Sequence, residues 1–330
     1  MKIRLTLSLL LGGMLLTGCG SKKSDTDSDT EFTLKFGHLA SEDNTWHLAA
    51  MKFKELVEAG SEGHIEVKLY PNSQLGKEMD LINSIQLGTA DMTITGESLQ
   101  NWAPKAALLA VPYAFSTSED MRAAAAGKGG EEICAEITAK TGLIPLAWFE
   151  RGPRHLTSKR VIEKPEDLNG LKIRVPNVPL FVNVWQELGA KPTPMAFSEV
   201  FTSLQQNTIE AQENPLSLID SASFYEVQKY VNLTAHVRSW IYVVIGEEKL
   251  NKMPPDLQAV VRQAAREMQD YEHELFVAEE TQLRKKLEAQ GMTFIDADQT
   301  AFATKARKAV LNALSDEQRT LLEQFSAKPN

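Results

Sequence analysis

Apolar positions along the chain repeat with two different periods. Phe32 to Gly37 alternates residue by residue and is rich in Phe and Leu, which predicts a strand. Trp46, Ala49, Ala50, Phe53, Leu56 and Val57 recur at helical spacing, which predicts a helix over Thr45–Ala59. In His64–Tyr70, Ile65, Val67 and Leu69 share one face of a strand, completing a βαβ unit. A helix over Lys77–Leu87 and a strand over Asp91–Thr95 continue it. A second round follows, with strands over Ile144–Phe149, Leu171–Val175, Ile209–Glu213 and Trp240–Ile245 and a helix over Phe181–Leu188. A further helix is expected over Glu199–Gln206, with Ser198 as its N-cap and Glu199 in its first turn. From Pro255, the positions Leu257, Val260, Val261, Ala264, Met268, Tyr271 and Leu275 form one stripe that runs on toward Ala289. A helix that long, rising ~1.5 Å per residue, outspans one small domain and is expected to cross two lobes. The predicted fold class is α/β.

The first residues follow a different pattern. Lys2 and Arg4 precede an apolar run, Leu5 to Leu16, that is too short to span a bilayer as a mature helix. Leu16-Thr17-Gly18-Cys19 resembles the bacterial lipobox, so residues 1–18 read as a signal peptide and Cys19 as the lipidated first mature residue. Ser21 to Thr30 has no apolar residue, so residues 19–31 read as a flexible tether. With Cys19 lipidated, Cys134 has no disulfide partner and is expected to be a buried small apolar residue. The expected location is extracytoplasmic, anchored to a membrane.

Composition narrows the function. The chain has 330 residues, 43% hydrophobic and 24% charged, which fits a globular protein of two domains. A net charge of −9 argues against nucleic acid as a partner but leaves room for a local anion pocket. The six histidines form no metal-ligand pair at helical spacing, and there is no G-x-S-x-G or Walker A sequence. Gly127, Gly129 and Gly130 read as a loop, because Glu132 spoils a dinucleotide fingerprint. Glu131-Glu132 and Glu279-Glu280 read as solvated faces. No metal, cofactor or catalytic activity is expected.

The informative polar residues are central. Arg151 and Arg154 flank Gly152-Pro153 after one predicted strand, Arg174 ends another, and Asn214 follows a third. Ligands of open α/β sheets bind beyond the carboxyl ends of strands. A guanidinium fork matches a carboxylate, and an amide both donates and accepts, so the set suits a small organic acid. For Arg174 a structural ion pair fits this pattern equally well.

Several runs carry a family resemblance. Leu168-Asn169-Gly170-Leu171-Lys172-Ile173-Arg174-Val175-Pro176, Pro194-Met195-Ala196-Phe197-Ser198-Glu199-Val200 and Tyr70-Pro71-Asn72-Ser73-Gln74-Leu75-Gly76 are similar to motifs of TRAP-transporter solute-binding proteins. Ile209-Glu210-Ala211-Gln212-Glu213-Asn214-Pro215 resembles the family's D-G-Q-E-N-P segment, with Glu210 and Ala211 in place of Asp and Gly. Phe224-Tyr225-Glu226-Val227-Gln228-Lys229-Tyr230 also matches, and the resemblance covers nearly the whole mature chain.

The resemblance implies a two-lobed periplasmic solute-binding protein that closes on its ligand and delivers it to two integral membrane subunits for sodium-coupled import. Lobe I would take residues 32–151 and 240–279, and lobe II residues 152–239 and 280–330. Arg174 would pair with the substrate carboxylate. Arg154 and Asn214 would be further contacts, Phe197 an aromatic packed on the ligand, and Glu97 an acceptor for sugar-acid hydroxyls. Trp240, Trp46 and His38 are candidate cleft walls. Arg151 departs from the family's commonest pattern and is expected to tune the anion site. The expected ligand is a sugar acid (uronate, aldonate or sialate), with a C4-dicarboxylate or presentation of the ligand to a membrane sensor kinase as alternatives. The receptor is expected to act as a monomer.

Overall fold

The computed structural model describes residues 30–326. The signal peptide, Cys19 and nearly all of the predicted tether lie outside the described residues. The elements run β1 (Phe32–Gly37), α1 (Thr45–Gly60), β2 (Ile65–Tyr70), α2 (Glu78–Gln86), β3 (Met92–Thr95), α3 (Ser118–Ala126), α4 (Lys128–Thr141) and β4 (Leu143–Ser158). There follow β5 (Lys172–Val175), α5 (Pro179–Leu188), β6 (Lys191–Pro194), α6 (Val200–Gln205), β7 (Ala211–Pro215), α7 (Leu216–Ser221) and β8 (Tyr230–Gly246). The chain ends with α8 (Glu247–Asn251), α9 (Pro255–Ala289), β9 (Thr293–Ile295), α10 (Gln299–Ala313) and α11 (Asp316–Ser326).

The strands form one mixed sheet in the order β2-β1-β3-β8-β4-β7-β5-β6, with β9 beside β8. β4 and β8 are its spine. Their outer parts pair from Leu143↔Gly246 to Arg151↔Ser239, where β3 joins β8 through Met92–Thr95. Their other parts pair at Leu156–Ser158 with Tyr230–Asn232, where β7 joins β4. Register shifts fall between Arg151 and Arg154 and between Arg154 and Leu156. Irregular pairing of this kind bends a strand and re-aims its side chains. The two long strands therefore pass through both lobes and carry Arg151 and Arg154 at the crossing.

α9 also serves both lobes. Its first half places Leu257, Val261, Ala264, Ala265 and Met268 in a core with β1, β2, β3 and α1. Its last turns place Leu283 and Leu287 in a separate core with Val200, Leu204, Ile219 and Phe224. A third core joins the α3–α4 region to α5 and α10. The helix starts with Pro255 at its first position, where a missing N–H costs nothing. Asn44 caps α1 by accepting from the Trp46 amide at 3.0 Å.

Four local expectations fail. The strands foreseen at Ile144–Phe149 and Trp240–Ile245 are each much longer, because the β4–β8 pairing breaks register at Gly152-Pro153 and resumes from Arg154 to Ser158 against Val237 and Tyr230–Asn232. Ser198 does not cap α6. A 3₁₀ turn over Phe197–Glu199 precedes the helix, and the Glu199 carboxylate accepts from the Ala196 amide at 3.2 Å. The glycine run is not a loop. Gly129 and Gly130 lie in α4, where an added Cβ would meet Phe325 at 1.9 Å and the Ala125 carbonyl at 2.0 Å, so close packing demands glycine. Cys134 is half-buried against the third core rather than fully buried.

Glu279 and Glu280 also depart from a freely solvated face, since both are half-buried. Burial raises both carboxyl pKa values above the ordinary range.

Candidate functional site

A cavity opens where β4, β5 and β7 meet α2 and the 3₁₀ turn Glu97–Asn101. Its larger chamber, about 140 Å³, is lined by Lys77, Ser98, Asn177 and Met195 among others. A narrower chamber, about 40 Å³, is lined by Trp46, Glu97, Arg151, Arg154 and Asn214. Leu39, Glu78, Arg174, Pro176 and Phe197 border both.

Arg174 projects from β5, which pairs in parallel with β6 and β7. It is 3% exposed, yet none of the ion pairs among the described residues involves it. Its Nε and Nη2 both donate to the Met195 carbonyl, at 3.0 and 2.7 Å. That bond orients the guanidinium plane without neutralising it. The Phe197 ring lies 6.0 Å from the guanidinium and packs on Phe224. Burial, reinforced by the charge of Arg154, pulls the Arg174 pKa down to about 10. At neutral pH it remains a cation, and it is the one buried arginine of the cavity that lacks an acidic partner.

The other two arginines are paired. Arg154 is 2% exposed and grips Glu213 with Nε at 2.5 Å and Nη2 at 2.8 Å. Burial alone would raise the Glu213 carboxyl. The Arg154 charge and a hydrogen bond from His236 outweigh it and hold the pKa at about 2. His236 Nε2 lies 2.9 Å from Glu213, and its Nδ1 lies 2.9 Å from Thr234 Oγ1. Burial lowers the His236 pKa, so the neutral ring donates to the carboxylate. Arg151 Nη2 meets Glu97 Oε2 at 2.5 Å. Burial opposes the charge on Glu97, but Arg151 and then Arg154 keep its pKa below the usual range. Glu78 accepts from Thr95 Oγ1 at 2.6 Å, and burial raises its pKa despite that bond. A shift of Glu78 toward its neutral form tips the local charge toward the arginines, as an anionic ligand requires.

The expected residues Arg174, Arg154, Asn214, Glu97 and Phe197 thus meet around one cavity, with Arg151 and Trp46 beside them. Asn214 donates to Gln212 at 2.6 Å, and Gln212 in turn donates to Thr157 at 2.9 Å, which fixes the amide. Arg151, Arg154 and Asn214 do not lie beyond strand ends as foreseen. They sit within β4 and β7, where His155 pairs with Asn214. Trp240 is not a cleft wall. Ser239 faces Arg151, so the next residue of the pleated strand points to the other face, where Trp240 packs on Phe115 and Phe325. His38 does not reach the cavity either. It is 1% exposed and bonded to His47 at 3.1 Å, while its neighbour Leu39 lines the chambers. Sequence reasoning missed the roles of Glu78 and Glu213, although both stood within or beside the quoted motifs. Among the described residues, no group of three or more His, Cys, Asp and Glu side chains is placed to hold a metal ion.

At the rim, Lys77 pairs with Glu199 at 2.7 Å and Asn101 donates to the Asn177 carbonyl at 3.0 Å. Each bond involves one residue that lines the larger chamber, Lys77 or Asn177.

Fold and site together define a two-lobed α/β receptor whose cleft presents an unneutralised guanidinium. Residues 36–318 match the family described as bacterial extracellular solute-binding protein, family 7, and the chain belongs to it. A solute-binding protein of Roseobacter denitrificans is 57% identical over 293 residues, 89% of this chain and 90% of its own length. The 2,3-diketo-L-gulonate-binding periplasmic protein YiaO of Escherichia coli is 34% identical over 307 residues, 92% of this chain and 91% of its own. The crystal structure of a TRAP periplasmic solute-binding protein from Roseobacter denitrificans, with bound L-galactonate, superposes with a TM-score of 0.89 at 56% identity. The match covers 90% of this chain and 99% of that one. The chain is an extracytoplasmic solute receptor of the TRAP type.

Proposed function

We propose that the receptor captures a six-carbon sugar acid, with L-galactonate the first candidate, and delivers it to two membrane subunits for import without altering it chemically. The observation that carries this reading is Arg174, a buried cation whose only bonds among the described residues go to a carbonyl. A ligand carboxylate supplies the missing countercharge through a charge-assisted hydrogen bond. Hydroxyls on the remaining carbons then meet Glu97, Glu78 and Asn214, which line the narrower chamber and can accept or donate there. The likeness to an L-galactonate complex and to a diketogulonate-binding protein supports the same ligand class. A dicarboxylate is the poorer fit, since Arg151 and Arg154 already hold Glu97 and Glu213.

The lobes are residues 32–151 with 240–279, and 152–239 with 280–313; α11 packs back on the first lobe, with Phe325 against Phe115 and Trp240. They close on the ligand by bending where β4, β8 and α9 cross. Lipid on Cys19 tethers a monomeric receptor to a membrane.

A thermal-shift panel tests the ligand. A ligand bound only by the folded state stabilises it by about 4 kcal/mol at a thousandfold excess over Kd. L-Galactonate and related aldonates or uronates should raise Tm by several degrees, and succinate or malate should not. A shift with the dicarboxylates alone would refute the assignment.

A further inference from the structure

Glu97 is 5% exposed and its two oxygens are treated differently. Oε2 receives Arg151 Nη2 at 2.5 Å. Oε1 has no nearer charged partner among the described residues than Arg154 Nη1, at 3.9 Å, which is beyond hydrogen-bond length. Glu97 lines the narrower chamber, so one oxygen is clamped and the other is left for whatever enters. The clamp is itself held, because Arg151 Nε and Nη2 both donate to Ser239 Oγ on β8, at 3.0 and 2.8 Å. Arg154 spends Nε and Nη2 on Glu213 of the neighbouring strand, so only its Nη1 faces Glu97, and it does so without a hydrogen bond.

We propose that Arg151 is a positioning residue for a ligand hydroxyl: by clamping Oε2 of Glu97 it keeps Oε1 aimed into the narrow chamber as a fixed, ionised acceptor. The site thereby selects acids that carry a hydroxyl at that end. This rests on the sugar-acid reading above. The charged groups facing Glu97 are Glu78 from α2, Arg151 and Arg154 from β4, and Arg174 from β5. Without Arg151, burial favours the neutral carboxyl, and Arg154, with Nη1 at 3.9 Å from Oε1, is the nearest cation left to oppose it. Glu97 then titrates in an accessible range, and its proton becomes coupled to the ligand.

The test is calorimetry of L-galactonate binding between pH 5 and 8, in buffers of different ionisation enthalpy so that protons exchanged on binding can be counted. Arg151→Met should weaken binding about tenfold, the scale of one hydrogen bond to a charged group. It should also change the proton count from the wild-type value by up to one. Arg151→Met combined with Glu97→Gln should restore the wild-type count, because the group that titrates is gone. A purely structural role for Arg151 would weaken binding without moving the count. If Arg151→Met lowers Tm too far for calorimetry, Arg151→Gln serves, with the same expectations. An unchanged count in the single variant, or a changed count that persists in the double variant, overturns the inference. A wild type that binds neither L-galactonate nor any other sugar acid removes the sugar-acid reading, and this inference with it.

Discussion

Two sides of one cavity treat the same side chain in opposite ways. On the β4 side, Arg151 and Arg154 are buried against Glu97 and Glu213, and serine and histidine complete the network. On the β5 side, Arg174 is buried to the same degree and rests only on a backbone carbonyl. A buried charge is tolerated when it is paired. The β4 side therefore satisfies itself and shapes the chamber, while the β5 side leaves a buried cation without a countercharge. On the proposed reading, the difference separates residues that build the site from the residue that would hold the ligand.

The largest test breaks the paired side. Arg154→Met leaves the Glu213 carboxylate buried without a countercharge, with only the neutral His236 ring bonded to it, so it should cost about 3–5 kcal/mol of stability, read as a fall in the urea midpoint. The same pair sets an acid limit. The Glu213 pKa is depressed to about 2, so its stabilising contribution is present above the unfolded value of about 4.3 and is lost as pH falls toward 2. Acid unfolding of wild type should steepen in that window, and Glu213→Gln should remove the steep limb.

Next comes the unpaired side. Arg174→Gln should weaken sugar-acid binding at least about a hundredfold, or ~3 kcal/mol, while leaving the melting temperature of the ligand-free protein unchanged or higher. A variant that lost stability as Arg154→Met does would erase the contrast between the two sides.

Glu272 on α9 sharpens the comparison from the acidic side. It is 1% exposed, accepts from Thr45 Oγ1 at 3.2 Å and has no partner for Oε2. Burial pushes its carboxyl up to about 8. An unpaired buried carboxylate can escape by keeping its proton, which an arginine cannot do. The folded state holds that proton where the unfolded chain has released it, so this stability is complete below about pH 4.3 and is lost as pH rises through 8. Glu272→Gln should be more stable than wild type at pH 9, by about 1–3 kcal/mol, and nearly equal to it at pH 5.

The smallest effect is at the rim. Lys77 and Glu199 are each about half exposed, so Lys77→Ala should change stability by less than ~1 kcal/mol. It should speed ligand release a few-fold at low salt and hardly at all at high salt, as stopped-flow dissociation would report.

Much of this was legible from residue order alone. Helical and alternating periods mark α1, β1, β2 and the whole of α9, whose stripe runs through two cores. The lengths of β4 and β8 were hidden, because Gly152-Pro153 and the polar run before Ser239 look like chain breaks until the site that buries them is seen. Motifs pointed to Arg174, Arg154, Asn214, Glu97 and Phe197, which do share one cavity. They could not say which arginine is free, since that depends on Glu97 and Glu213 arriving from distant strands and turns. Trp240 and His38 illustrate the opposite error. Each adjoins a residue that faces the site, and a one-residue step along a strand or strand end changes the face.

Arg174, alone among the three arginines, is proposed to seat the ligand carboxylate. A crystal structure of the complex with L-galactonate tests it directly. The carboxylate should lie within about 2.7–2.9 Å of Arg174, with Arg154 still on Glu213 and Arg151 still on Glu97. A carboxylate seated on Arg151 or Arg154, with Arg174 bound only to the Met195 carbonyl, would contradict it.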